Sequence, residues 1–281
     1  MISDRAFVAI VLLSSFAVAA PRTAISPSHV SRVVAVSDER CERFHAHGVM
    51  HDGAPLGCAR LRVVEFSHYD FDGEVRQGEL VVLDTIAEDV RRLVDELFRK
   101  RFPITKAVSI EAYEGDDDRS GAADNTSAFN HRMTYRAPTV SLHSYGAAVD
   151  LNPFRNPYIT LEKDGRITVE TVASRAHMNR SRVRPGKAPR AGYAEDVVED
   201  FARHGFTSWG GDDDNPVNYQ HFQLPRTLAV KLAQLEPVAA RKVFSAFVAQ
   251  YRACRTKTKG PEDEARSKCV VASDAWVAEL R

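Results

Sequence analysis

The sequence has no excess charge of either sign: 38 Lys and Arg balance 38 Asp and Glu, giving a formal net charge of zero. Long-range attraction to nucleic acid or to an anionic membrane is therefore not indicated. It has no internal repeat, no low-complexity block and no C-x-x-C pair, which argues against solenoids, disordered tails and an all-cysteine zinc site. Its one long apolar run, "AFVAIVLLSSFAVAA", has 15 residues and falls short of the roughly 20 that a spanning helix needs. That run follows a short segment carrying Arg5, and Ala17-Val18-Ala19 gives the small-x-small pattern of a cleavage site. Residues 1–19 are therefore expected to be a secretory signal peptide, with no stable membrane insertion after cleavage.

What remains is ordinary for a globular protein: 44% hydrophobic and 27% charged residues over 281 positions. Export implies an oxidising compartment, and four cysteines fall in two close pairs near the two ends. We expect Cys41 to bond Cys58 and Cys254 to bond Cys269, each clipping a short loop. In the loop-entropy picture each bridge contributes roughly 3 kcal/mol.

Two β-rich runs flank Asp72-Gly73 and read as a hairpin. Ile86, Val90, Leu93, Val94, Leu97 and Phe98 then recur at helical spacing, with Thr85 and Glu88 as a candidate capping box. Residues 104–113 read as a buried strand, 20–40 as a linker and 152–192 as a long surface excursion. A short helix over 194–204 ends at Gly205. Past Pro225 the chain reads as helical, interrupted near Pro237. Strands and helices without regular alternation indicate an α+β fold.

The chemistry is concentrated in "SLHSYGAAVDLNP", residues 141–153. His143 and Asp150 are both metal-ligand types, and Gly146 lets the backbone bend between them. His221, in the aromatic strand-like "NYQHFQ", is the candidate third ligand. A zinc ion with three protein ligands and one open position would lower the pKa of bound water and polarise a carbonyl. Trp209 and Tyr145 are substrate-side candidates, with core packing as the alternative for each. "HAHGVMH" (His45, His47, His51) reads as a solvated loop. "DDDRSG" starts like a calcium loop but has Ser127 at the twelfth position, where an EF-hand needs an acid.

These residues carry a resemblance. "SLHSYGAAVD" is similar to the S-x-H-x-x-G-x-A-x-D signature of the zinc D-Ala-D-Ala carboxypeptidase and L-Ala-D-Glu endopeptidase family, and "NYQHF" to its second motif. "GDDDRSGAADNTSAFNHR", "NPYI" and "WGGD" resemble its secreted bacterial branch. The resemblance implies a hedgehog/DD-peptidase-like antiparallel sheet flanked by helices, one Zn2+ and peptidoglycan stem peptides as substrate, in the periplasm or outside the cell. It makes His143, Asp150 and His221 the zinc ligands, Arg132 the arginine that binds substrate or the oxyanion, and Ser141 the serine ahead of the first ligand. The implied layout is a signal peptide over 1–19, a linker and disulfide loop over 20–54, a catalytic domain over 55–225 and a helical C-terminal extension over 226–281.

One departure has chemical weight. Where the family carries an acidic general base three residues before the last histidine, this chain has Asn218. An amide does not accept a proton from water, and losing a general base costs about 10²–10⁴-fold in rate. A residue of the Asp212-Asp213-Asp214 run, with Asp214 as the candidate, is one replacement; slow turnover by zinc-hydroxide alone is another. The alternative function is a zinc-containing wall-binding module that does not cut.

Overall fold

The computed structural model describes residues 29–135 and 138–280, so the expected signal peptide lies outside the described residues. In chain order the elements are β1 (Ser31–Ala35), α1 (Asp38–Ala46), β2 (Leu61–Tyr69), β3 (Val75–Leu83), α2 (Ala87–Arg99), β4 (Lys106–Ala107), α3 (Asp117–Ala122), β5 (Asn125–Thr126), β6 (Ala148–Asp150), β7 (Tyr158–Leu161) and β8 (Ile167–Val169). They continue with α4 (Val198–Arg203), β9 (Ser208–Trp209), β10 (Val217–Asn218), β11 (His221–Gln223), α5 (Arg226–Gln234), α6 (Pro237–Lys257) and α7 (Glu262–Glu279). Mixed helices and antiparallel sheets make this an α+β chain.

The first sheet has the order β1-β2-β3 and is antiparallel throughout. Its β2–β3 hairpin turns at Asp72-Gly73 as expected, with Gly73 at φ 81°. Against it lies α2, which buries Val90, Leu93, Val94 and Leu97 at the i, i+3, i+4, i+7 positions of one face. Each such side chain is worth roughly 1.5–3 kcal/mol of burial before entropy is charged against it. The helix does not use the expected capping box: Ile86 is its N-cap without a side-chain bond, and the Thr85 hydroxyl donates to Asp84 instead.

The linker expected over 20–40 is corrected from Ser31 onward. Val33 pairs with Val64 and Val34 with Val63, and Ser37 then caps α1 by accepting from the Arg40 N–H at 3.2 Å. An edge strand of five residues is too short to show a readable alternation. Residues 104–113 are likewise not one strand. Only Lys106–Ala107 pairs, after which the Ser109 hydroxyl accepts from the Glu111 N–H and starts a single helical turn. A side chain that bonds its own backbone competes with the sheet ladder.

One buried apolar cluster runs from Phe44 on α1 to Val277 on α7. The C-terminal helices are part of it: Leu228, Ala229 and Leu232 of α5 and Phe244 and Phe247 of α6 are fully buried. Pro237 sits in the first turn of α6 and separates it from α5, as expected. The two disulfides pair Cys41 with Cys58 and Cys254 with Cys269, the second joining α6 to α7.

Candidate metal centre

The centre is built from a turn and a strand pair. Ser141 caps the single helical turn Leu142–Tyr145, its hydroxyl accepting from the His143 N–H at 3.3 Å. Gly146 ends that turn at φ 56°. A Cβ there would lie 2.5 Å from the Leu83 nitrogen and 2.9 Å from the Val82 carbonyl carbon. Only glycine tolerates both that conformation and that approach. β3 comes this close because the Leu83 N–H donates to the Gly146 carbonyl at 3.0 Å. The turn that holds His143 is thereby fastened to the first sheet.

After Gly146 the chain enters β6, which pairs antiparallel with β11 in the register His221↔Asp150, Phe222↔Val149, Gln223↔Ala148. Two residues past the end of β6 lies Asn152, fully buried at φ 45°. Its side chain donates to the Pro103 carbonyl and accepts from the Thr105 N–H, bonds that hold this left-handed position.

Three side chains converge here. His143 Nε2 lies 3.1 Å from Asp150 Oδ2, His221 Nδ1 lies 2.8 Å from Asp150 Oδ1, and the two imidazole nitrogens are 3.3 Å apart. Their ligand atoms all fall within 4.8 Å of one another. The other nitrogen of each ring is engaged: His143 Nδ1–H donates to the Ala128 carbonyl at 2.5 Å, and His221 Nε2–H to the Gln223 side-chain oxygen at 2.8 Å. These bonds leave His143 Nε2 and His221 Nδ1 as lone pairs directed at the carboxylate. Three acceptors facing one another need a proton or a metal cation between them. A tetrahedral zinc with bonds near 2.0–2.1 Å sets its ligands about 3.3 Å apart, so the group fits that ion.

The electrostatics are those of a tight cluster. Burial pulls His143 down from its ordinary pKa. Burial works to raise the Asp150 carboxyl, but the two imidazoles outweigh it and hold it below the usual carboxylate range. Burial also disfavours charge on His221, where Asp150 prevails and lifts it.

The trio sits in a cleft of about 340 Å³, enough for a short segment of a small ligand or peptide. Ser141, Arg132 and Asn218 line it, as do Asp117, Glu170 and Arg226. Arg132 pairs with Asp117 and lies over the Tyr135 ring at 4.7 Å. The Asn218 side-chain oxygen is buried with no hydrogen-bond partner.

Residues 135–224 match the family model of D-alanyl-D-alanine carboxypeptidase. That match covers about a third of the chain and includes the histidines, the aspartate and the turn that joins them. The resemblance carried by the sequence motifs to this carboxypeptidase family is therefore shown. No curated protein matches the chain significantly, and no solved structure does.

Three sequence candidates stand elsewhere. Trp209 is buried outside the cleft, stacked on Phe222, with its indole N–H donating to the Tyr219 carbonyl at 2.9 Å. Its flat ring fills the strand layer beneath the site. Tyr145 packs on the apolar core, because the turn that aims His143 at the cleft rotates the residue two positions on inward. Asp214 is exposed and does not line the cleft, because the loop before β10 carries it outward. Conversely, Glu170, Gln220 and Gln223 were not picked out from sequence. Gln223 had a signal, since a residue two positions from His221 on a strand shares its face. Glu170 follows β8, and the excursion expected over 152–192 is corrected here: β7 and β8 form a hairpin that turns at Asp164-Gly165, with Gly165 at φ 83°.

Proposed function

We propose that this chain is a zinc-dependent peptidase that hydrolyses a peptide bond in peptidoglycan stem peptides, of the D-Ala-D-Ala carboxypeptidase or endopeptidase type. The observation that carries this is the spacing of His143, Asp150 and His221, with both outer ring nitrogens already engaged. His143, Asp150 and His221 hold the ion. When bound, zinc supplies a Lewis acid for the scissile carbonyl. The Ala128 carbonyl and the Gln223 amide keep the two rings in the tautomer that ligation requires. Arg132 retains N–H donors beyond those used on Asp117 and directs them at a substrate carboxylate or the developing oxyanion. Ser141 fixes the turn that presents His143.

The finer reading of the fold is hedgehog/DD-peptidase-like, with residues 55–225 as the catalytic unit and 226–281 as a helical brace. No described helix is long and apolar enough to cross a membrane. Two disulfides support an extracellular or periplasmic setting, and the apolar N-terminal run supports export. Incubating the purified protein with muropeptides, with and without a chelator, tests the reading: chelator-sensitive cleavage is expected, with about one zinc per chain.

Asn218 favours a second reading, a zinc-containing wall-binding module. Zinc-loaded protein that sediments with cell wall and leaves every muropeptide intact would establish the module in place of the enzyme.

A further inference from the structure

The replacement of the expected base by Asn218 leaves a question of proton transfer that rests on the peptidase reading above. Three carboxylates line the cleft among the described residues: Asp117, Asp150 and Glu170. Two of them are committed. Asp150 faces both histidines, and Asp117 is held by Arg132 and accepts from the Asn130 amide at 2.8 Å. Glu170 has neither an arginine nor a histidine partner. Gln220, the residue next to His221 in the chain, lines the same cleft wall. Its backbone N–H donates to the Tyr158 carbonyl at 3.2 Å, which anchors the end of β8 against β7 and holds the side chain at the cleft wall.

We propose that Glu170 is the general base of this site, taking over the role that the asparagine at 218 cannot perform. The Glu170 carboxylate accepts a proton from the attacking water as the water oxygen bonds to the scissile carbonyl carbon. The proton then passes to the leaving nitrogen as the C–N bond breaks. One water is consumed, one carboxylate and one amine are released, and nothing is oxidised or reduced.

The surroundings of Glu170 suit that task. Crowding by the cleft walls, then the negative charges of Asp150 and Asp118, push its carboxyl up to about 7, against the opposing pull of Arg132 and the Gln220 amide. Tyr135 and Tyr158 complete the wall around it. Glu170 is exposed to solvent, which screens part of that push. A carboxylate raised above its ordinary range is a stronger proton acceptor, which suits a general base.

The test uses zinc-loaded full-length protein and a stem pentapeptide ending in D-Ala-D-Ala. Glu170→Gln is expected to lower kcat by about 10²–10⁴-fold with KM and zinc stoichiometry unchanged. The acid limb of its kcat/KM profile, which in the wild type lies above the ordinary carboxylate range, is expected to disappear. Glu170→Ala is expected to regain activity with added formate, whereas His143→Ala is not. Wild-type kcat in Glu170→Gln overturns the proposal and leaves the peptidase reading standing. No turnover by the zinc-loaded wild type overturns both. If Glu170→Gln loses zinc or melts early, the formate arm decides: rescue supports the base, and no rescue overturns it.

Discussion

Asp150 and His221 face each other across the β6–β11 pair, 71 positions apart in sequence and 2.8 Å apart at their polar atoms. Strand register alone brings them together, while His143 arrives separately on a glycine-terminated turn. Replacing Asp150 with alanine is therefore expected to leave the strands paired and remove the anionic ligand. In a thermal melt, zinc at 100 times its Kd is expected to stabilise the wild type by about 2.7 kcal/mol and the variant not at all. An equal rise in both melting temperatures would place the ion somewhere other than this trio.

Gly146→Ala tests the turn. The new methyl meets Leu83 and Val82 backbone in a conformation that L-residues rarely adopt. Left-handed strain and a backbone clash together predict a loss of roughly 3 kcal/mol in urea unfolding. Zinc affinity is expected to fall as well, since the same turn carries His143. A variant as stable as the wild type would show that β3 yields there.

The contrast between these residues and their neighbours shows what the chain discloses before folding. His143, Asp150 and His221 stand in compact motifs whose spacing is chemical, so they are readable from the string. The β2–β3 hairpin and α2 announce themselves by turn residues and period. β1 does not, because five residues at a sheet edge carry no period. For Trp209 and Tyr145 the sequence leaves cleft and core equally open, and strand stacking and turn geometry send both into the core. Glu170 comes to the cleft at the end of the β7–β8 hairpin, whose Asp164-Gly165 turn is as legible as Asp72-Gly73 but sits in a stretch too rich in Pro, Arg and Lys to show strand alternation.

A second buried cluster predicts how stability follows pH. Asp89 on α2 is almost fully buried and meets Arg92, Arg241 and His204. Burial works to raise its carboxyl, but those partners outweigh it and hold it well below the usual carboxylate range. A depressed native pKa contributes stability that is present above the unfolded value of about 3.9 and is lost as pH falls through the native one. Asp89→Asn is expected to cost about 1–3 kcal/mol at pH 7, because it removes the buried anion that the half-exposed Arg92 and Arg241 bond to. Its stability is also expected to fall less steeply than the wild type's below about pH 4. Parallel slopes in urea titrations from pH 7 to pH 3 would remove Asp89 from the acid response.

The asparagine at 218 offers the sharpest test of how proton transfer is arranged. Its side-chain oxygen is buried in the cleft wall without a partner, so an aspartate fits there without displacing a bond. Asn218→Asp is expected to raise kcat by about tenfold or more, since it puts a second proton acceptor at the cleft. Combined with Glu170→Gln, it is expected to restore much of the lost rate, because either carboxylate can then take the proton. Asp214→Asn is expected to leave kcat unchanged, since that side chain is exposed outside the cleft. Loss of activity on neutralising Asp214 would mean that the loop before β10 folds inward during turnover. Failure of Asn218→Asp to restore the Glu170→Gln variant would mean that the two positions do not serve the same proton.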